Sequence, residues 1–238
     1  MAVTLVTVVN AVATASAGFE GTIVDVCARV SGGNTNCLVA IYHGALTAQS
    51  ASWDVCGASP QAMTTAGEIG IGGTGGNLKV FQLLNPTAGK HVLRAYVSGT
   101  ASNRTLAAYA LTGVADSTPI GALVAQTGTT DNLSANVVST ANEIVIDAAF
   151  FAQAADVSAL GIASVGPGQT ETYNRRPLNN ITFAALGSYQ TGETSTRMSW
   201  DEDFGTLANW GHVAFNVVAT AEGGASGKTS LMSLGMGT

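Results

Sequence analysis

Three histidines, His43, His91 and His212, are the residues of this 238-residue chain best suited to move a proton near neutral pH. A hydrolytic triad needs one of them beside an exposed serine or cysteine, with a carboxylate to orient it. The chain has no Gly-x-Ser-x-Gly elbow. His212 lies in the run Asn209-Trp210-Gly211-His212-Val213-Ala214-Phe215, which predicts a packed, hydrogen-bonded histidine. Asp201-Glu202-Asp203 is the densest acidic cluster. Ca²⁺ takes six to eight oxygens, and consecutive strand residues point to opposite faces, so a solvated loop is expected. Asp203-Phe204-Gly205 carries no kinase meaning without a Gly-rich loop and a catalytic loop around it. Cys27, Cys37 and Cys56 lack the spacing of a metal site. Cys27 and Cys37 flank Ser31 to Asn36, so they could face each other across a hairpin or remain reduced and buried. The expectation is no catalytic residue, no metal and no cofactor.

Aromatic side chains suit a different chemistry, because a flat ring packs against the apolar face of a sugar. Trp53, Trp200, Trp210, Tyr173 and Tyr189 are the candidates, with core packing the commoner use for Trp200 and Trp210. Arg175-Arg176 follows Tyr173 and could grip a carboxylate on a neighbouring subunit. Trp53, Tyr173, Arg175, Arg176 and Tyr189 are thus the candidate contacts to a sugar or a partner.

The elements that must position these residues read as strands. Apolar runs are short, rich in Val, Ile, Thr and aromatics, and bounded by Gly, Asn, Ser or Pro. Strands are expected near 3–9, 20–30, 37–43, 51–55, 78–84, 90–98, 103–111 and 120–126. In the second half they are expected near 133–139, 143–151, 158–164, 169–174, 181–187, 194–200 and 210–219. Spacing of this kind indicates an all-β, antiparallel sandwich instead of alternating βαβ units. Asn85-Pro86 ends one strand and Gly89 leads the next, predicting a hairpin from 80–84 to 91–97. The Gly-rich stretch 70–76 reads as a loop or a distorted edge. No repeat period is evident. Residues 1–17 fit a first strand or a signal sequence, but lack the basic n-region of the latter. The expected organisation is one sandwich domain over 1–220, with 1–19 as an N-terminal strand or arm, and a flexible tail over 221–238.

Charged residues make up only 10% of the chain and the formal charge is −6, with no basic cluster larger than Arg175-Arg176. An electrostatic footprint for nucleic acid is therefore missing. Binding to an anionic membrane is disfavoured for the same reason, and no run of about 20 apolar residues offers a spanning helix.

Three segments carry a family resemblance: Phe81-Gln82-Leu83-Leu84-Asn85-Pro86-Thr87-Ala88-Gly89-Lys90-His91-Val92, Ala110 to Gly121, and the closing block with Gly168-Gln169-Thr170-Glu171, Met198-Ser199-Trp200 and Trp210-Gly211-His212-Val213-Ala214. In order and spacing they resemble jelly-roll-like β-sandwich domains of tailed-phage virion proteins, also seen in some bacterial surface proteins. The resemblance covers most of residues 20–219. The cysteines and the glycine-rich stretch 70–76 depart from it. It implies a non-catalytic virion protein, made in the host cytoplasm, that decorates or cements a capsid or forms a head fibre. The implied partners are the major capsid protein or other virion proteins, and copies of itself in a homo-oligomer, a trimer by analogy. The alternative is a carbohydrate-binding adhesion module that recognises a surface glycan.

Overall fold

The computed structural model describes residues 1–13, 22–30, 36–44, 48–54, 60–71, 76–97, 104–129, 133–152, 163–175, 183–201 and 209–221. All regular structure there is β. The first half holds β1 (Thr4–Ala13), β2 (Thr22–Val30), β3 (Cys37–Gly44), β4 (Ala48–Asp54), β5 (Gln61–Ala62), β6 (Thr64–Ile71), β7 (Gly76–Leu84), β8 (Gly89–Val97) and β9 (Arg104–Thr112). The second holds β10 (Val124–Gly128), β11 (Leu133–Val137), β12 (Ile144–Ala152), β13 (Ser164–Val165), β14 (Thr170–Arg175), β15 (Phe183–Thr191), β16 (Thr196–Asp201) and β17 (Asn209–Val217).

These strands form four antiparallel sheets. In the first half an inner sheet runs β1-β9-β3-β7-β6 and an outer sheet β2-β8-β4-β5. In the second half the inner sheet runs β10-β17-β12-β15-β14 and the outer sheet β11-β16-β13. Renaming β1 to β4 as β10 to β13, and β6 to β9 as β14 to β17, converts the first pair of orders into the second. Among the described residues only β5 lacks a counterpart.

The repeat extends to irregularities. Opposite β9, β1 slips by one residue between Leu5, paired with Leu111, and Thr7, paired with Ala110. Opposite β17 the same slip separates Ile120, bridged to Val217, from Val124, paired with Ala214. A second bulge falls between Thr65 and Gly67 of β6, facing Phe81 and Val80, and recurs between Glu171 and Tyr173 of β14, facing Ser188 and Gly187. Bulges are positional features of a fold, so their recurrence at matched registers marks the halves as two copies of one design.

The inner sheets face each other. Val39, Ile41, Leu78, Val80, Tyr109 and Leu111 from one meet Ile144, Ile146, Ala148, Phe150, Phe215 and Val217 from the other in the largest apolar cluster. His43 and Phe150 occupy equivalent places in β3 and β12, and their rings lie 6.2 Å apart. Each half also has its own outer core: Leu38, Tyr42, Trp53, Phe81, Leu93 and Leu106 in the first, and Leu133, Phe151, Leu186, Trp200 and Trp210 in the second.

The layering explains the hydrophobic patterns. Every residue of β3 is buried, because both of its faces are covered, so Cys37 to Gly44 reads as a continuous run. In β16 buried and accessible positions alternate, as they do when one face meets water. The all-β antiparallel sandwich architecture is as expected, but the two layers expected over 1–220 are four.

Two local expectations are corrected. Segments 80–84 and 91–97 do not form a hairpin, since β7 belongs to the inner sheet and β8 to the outer one. Asn85 takes φ 51°, Pro86 offers no N–H, and the chain turns out of one sheet to cross into the other. Cys27 and Cys37 are likewise in different sheets, paired with Val92 and with Leu84 and Leu111. Cys37 is a free, buried thiol, which burial pushes up to about 12. Within 1–17, Thr4–Ala13 form β1 at the edge of the inner sheet, and 14–17 lie outside the described residues. Of the tail expected over 221–238, residues 222–238 lie outside the described residues.

Candidate functional site

Asp147 is the strongest chemical signal inside the molecule. It is fully buried in β12, on the face toward the outer sheet, within the otherwise apolar run Ile144-Val145-Ile146-Asp147-Ala148-Ala149. A buried carboxylate is tolerated only with full hydrogen bonding, and four donors meet this one. Oδ1 accepts from the Ser188 backbone N–H at 3.1 Å and from the Ser188 hydroxyl. Oδ2 accepts from Trp200 Nε1 and His212 Nε2, each at 2.9 Å. Gln169 extends the network: its Nε2 donates to Ser188 Oγ and its Oε1 accepts from the Ser199 N–H, both at 2.7 Å.

The set contains a serine, a histidine and an aspartate, yet its geometry is not that of a triad. In a triad the histidine stands between the hydroxyl and the acid. Here the carboxylate stands between Ser188 and His212, and all three are closed to solvent. The network ties β12, β15, β16 and β17 together.

A second polar group sits where the halves meet. His43 Nε2 is 2.7 Å from the Tyr173 hydroxyl, and the two rings meet edge to face. Burial lowers His43 to about 3 and raises Tyr173 well above its ordinary value, so both are neutral at ordinary pH. Tyr109 Oη lies 2.8 Å from Thr172 Oγ1, adding a further link between inner sheets. His91 packs edge to face on Trp53 at 5.3 Å, with Nε2 3.0 Å from the Ala88 carbonyl. All three histidines are buried and hydrogen-bonded.

The solvent-facing constellation lies on the outer sheet of the first half. A cavity of about 200 Å³ is lined by Ser50, Ser52, Asp54, Pro60, Arg94 and Tyr96. Ser50, Ser52 and Asp54 occupy alternate positions of β4, while Ala51 and Trp53 between them point into the core. Asp54 accepts from Ser52 Oγ at 2.7 Å and pairs with Arg94 Nη1 at 2.8 Å. Tyr96, 45% exposed, stands opposite Ser50 in the register.

The sugar or partner contacts expected from sequence are scattered. Trp53 is a correction: it is fully buried, with Nε1 donating to the Thr87 carbonyl at 3.1 Å, and has no face free for a ligand. Tyr173 is corrected likewise, being buried between the inner sheets. Tyr189 is half-buried against the same cluster, and Arg175 is exposed at the end of β14. Arg176 lies outside the described residues, as do Glu202 and Asp203 of the acidic cluster. Among the described residues no group of three or more His, Cys, Asp or Glu converges on a metal position. Sequence reasoning missed Asp147, although a lone carboxylate in an apolar strand is a visible signal. It also missed the groove, although the alternation Ser-Ala-Ser-Trp-Asp assigns its polar members to one face.

Comparison with protein-family models, with curated proteins and with solved structures gives no match for this chain.

Proposed function

We propose that the protein is a non-catalytic structural component of a tailed-phage particle, decorating or cementing the outside of the capsid, and that each half is a jelly-roll-like unit. The strand order of the first half supports the second part: first, ninth, third and seventh strands in one sheet, with β6 added at its edge, and second, eighth, fourth and fifth in the other. Eight strands wound as two Greek keys take this arrangement, which viral capsid domains share with lectins and cupins. The link from fold to role is an analogy.

The observation that carries the reading is how the interior is used. Asp147, Ser188 and His212, and likewise His43 and Tyr173, are sealed inside and committed to holding sheets together. What such a molecule offers to others is its outer sheets and strand edges. A rigid double sandwich stabilises a shell by binding the assembled lattice in preference to free subunits. Its partners on this reading are the major capsid protein or another virion protein, together with further copies of itself.

Quantitative mass spectrometry of purified particles tests this. The protein should appear in many copies beside the major shell protein, and particles stripped of it should break at lower temperature. Its absence from particles whose host lysate contains it contradicts the proposal.

A further inference from the structure

The groove on the first outer sheet opens to solvent, unlike the sealed Asp147 and His43 groups. We propose that it binds one pyranose ring of a neutral saccharide.

A pyranose has an apolar C–H face and a rim of hydroxyls that both donate and accept. Tyr96 offers an exposed ring for the face, and Pro60 forms another apolar wall. Ser50 lies opposite Tyr96 and Ser52 opposite Arg94 in the β4–β8 register, which sets hydroxyls beside the ring. Asp54 and Arg94, paired at 2.8 Å, bring an acceptor and a donor to the same floor. The carboxylate is already oriented by Ser52 and Arg94, so little ordering remains to oppose binding. Because its acid and its base cancel, the groove favours a neutral ligand over an anion or a cation. A volume of about 200 Å³ falls below the roughly 300–1,000 Å³ of sites for drug-sized ligands, which limits occupancy to one ring.

The test uses the full chain on an array of neutral and acidic glycans, followed by saturation-transfer NMR titration of free glucose, galactose and mannose. Binding to neutral glycans is expected, with Tyr96→Ala weakening it by about tenfold or more and Tyr96→Trp retaining it. Both variants should melt within a few degrees of the parent, since the side chain is exposed. A silent array with all three sugars unbound at millimolar concentration overturns the proposal, as does a response confined to acidic glycans. Neutral-glycan binding that Tyr96→Ala leaves unchanged overturns the site. Particle composition is a separate measurement, so failure of the groove and failure of the virion role remain distinguishable.

Discussion

Between the inner and outer sheets of the first half stand Ala40, Phe81 and Leu106; at the equivalent places in the second stand Asp147, Ser188 and His212, with Trp200 of the outer sheet bonded to Asp147. Ala40 pairs with Phe81 as Asp147 pairs with Ser188, and strand order and bulges coincide. One backbone design is filled with hydrocarbon in one copy and with a carboxylate and its donors in the other. The architecture therefore depends on filling the space and satisfying whatever is buried there, and either chemistry suffices. The two differ in how they fail. An apolar core loses stability in proportion to volume removed, whereas a buried carboxylate network collapses when its acceptor is lost.

The sharpest way to break the comparison is Asp147→Ala. Ser188, Trp200 and His212 would then hold buried donors without an acceptor, and the loss should be about 3–5 kcal/mol in denaturant unfolding. Importing the apolar set of the first half (Asp147→Ala, Ser188→Phe, His212→Leu), with Trp200→Phe to remove the remaining donor, should recover a large part of that loss. A quadruple variant no more stable than the single one would show that the halves are not interchangeable in this way. On the apolar side, Trp53→Ala should cost about 3–5 kcal/mol by opening a cavity. A cost below about 1 kcal/mol would return Trp53 to the surface.

The interface between halves yields a pH effect. His43 is depressed to about 3 when folded against 6.5 for its ordinary value, so between those values the unfolded chain holds a proton that the folded chain does not. This contribution to stability is complete above pH 6.5 and is lost as pH falls toward 3, with a limiting slope of about 1.4 kcal/mol per pH unit. A His43→Leu, Tyr173→Phe double variant removes both members of the pair, and its stability should fall less steeply between pH 6.5 and 4. Equal slopes in parent and variant would contradict a neutral His43. The smallest effect is expected at the groove, where Asp54→Asn breaks a partly exposed ion pair and should change stability by less than about 1 kcal/mol.

Much of the strand content was legible, and the reasons are local. Asn85-Pro86 ends β7, and the runs 143–151 and 210–219 match β12 and β17 to within a residue or two. His212 was readable as a packed histidine from its apolar neighbours. Pairing was not legible: a turn sequence signals that the chain reverses, not whether it stays in its sheet, so 80–97 passed for a hairpin. The fourfold layering lay hidden in Cys37 to Gly44 and Ile144 to Ala152, continuous runs compatible with several buried contexts. β6 was obscured by Gly67, Glu68 and Gly70, which suit an edge strand but imitate a loop. The repeat itself escaped because Ala40 and Asp147, or Phe81 and Ser188, share a place and no chemistry. Duplication here survives in register and bulges, which sequence does not display.

Amide hydrogen exchange resolved strand by strand measures most directly whether two like sandwiches are joined through their inner sheets. The central inner strands β3 and β9 of the first half and β12 and β17 of the second should form one set of slowest-exchanging amides, with β4 and β16 of the outer sheets faster. If β3 and β9, or β12 and β17, exchange as fast as the outer strands, the inner sheets are not buried against each other and the account fails.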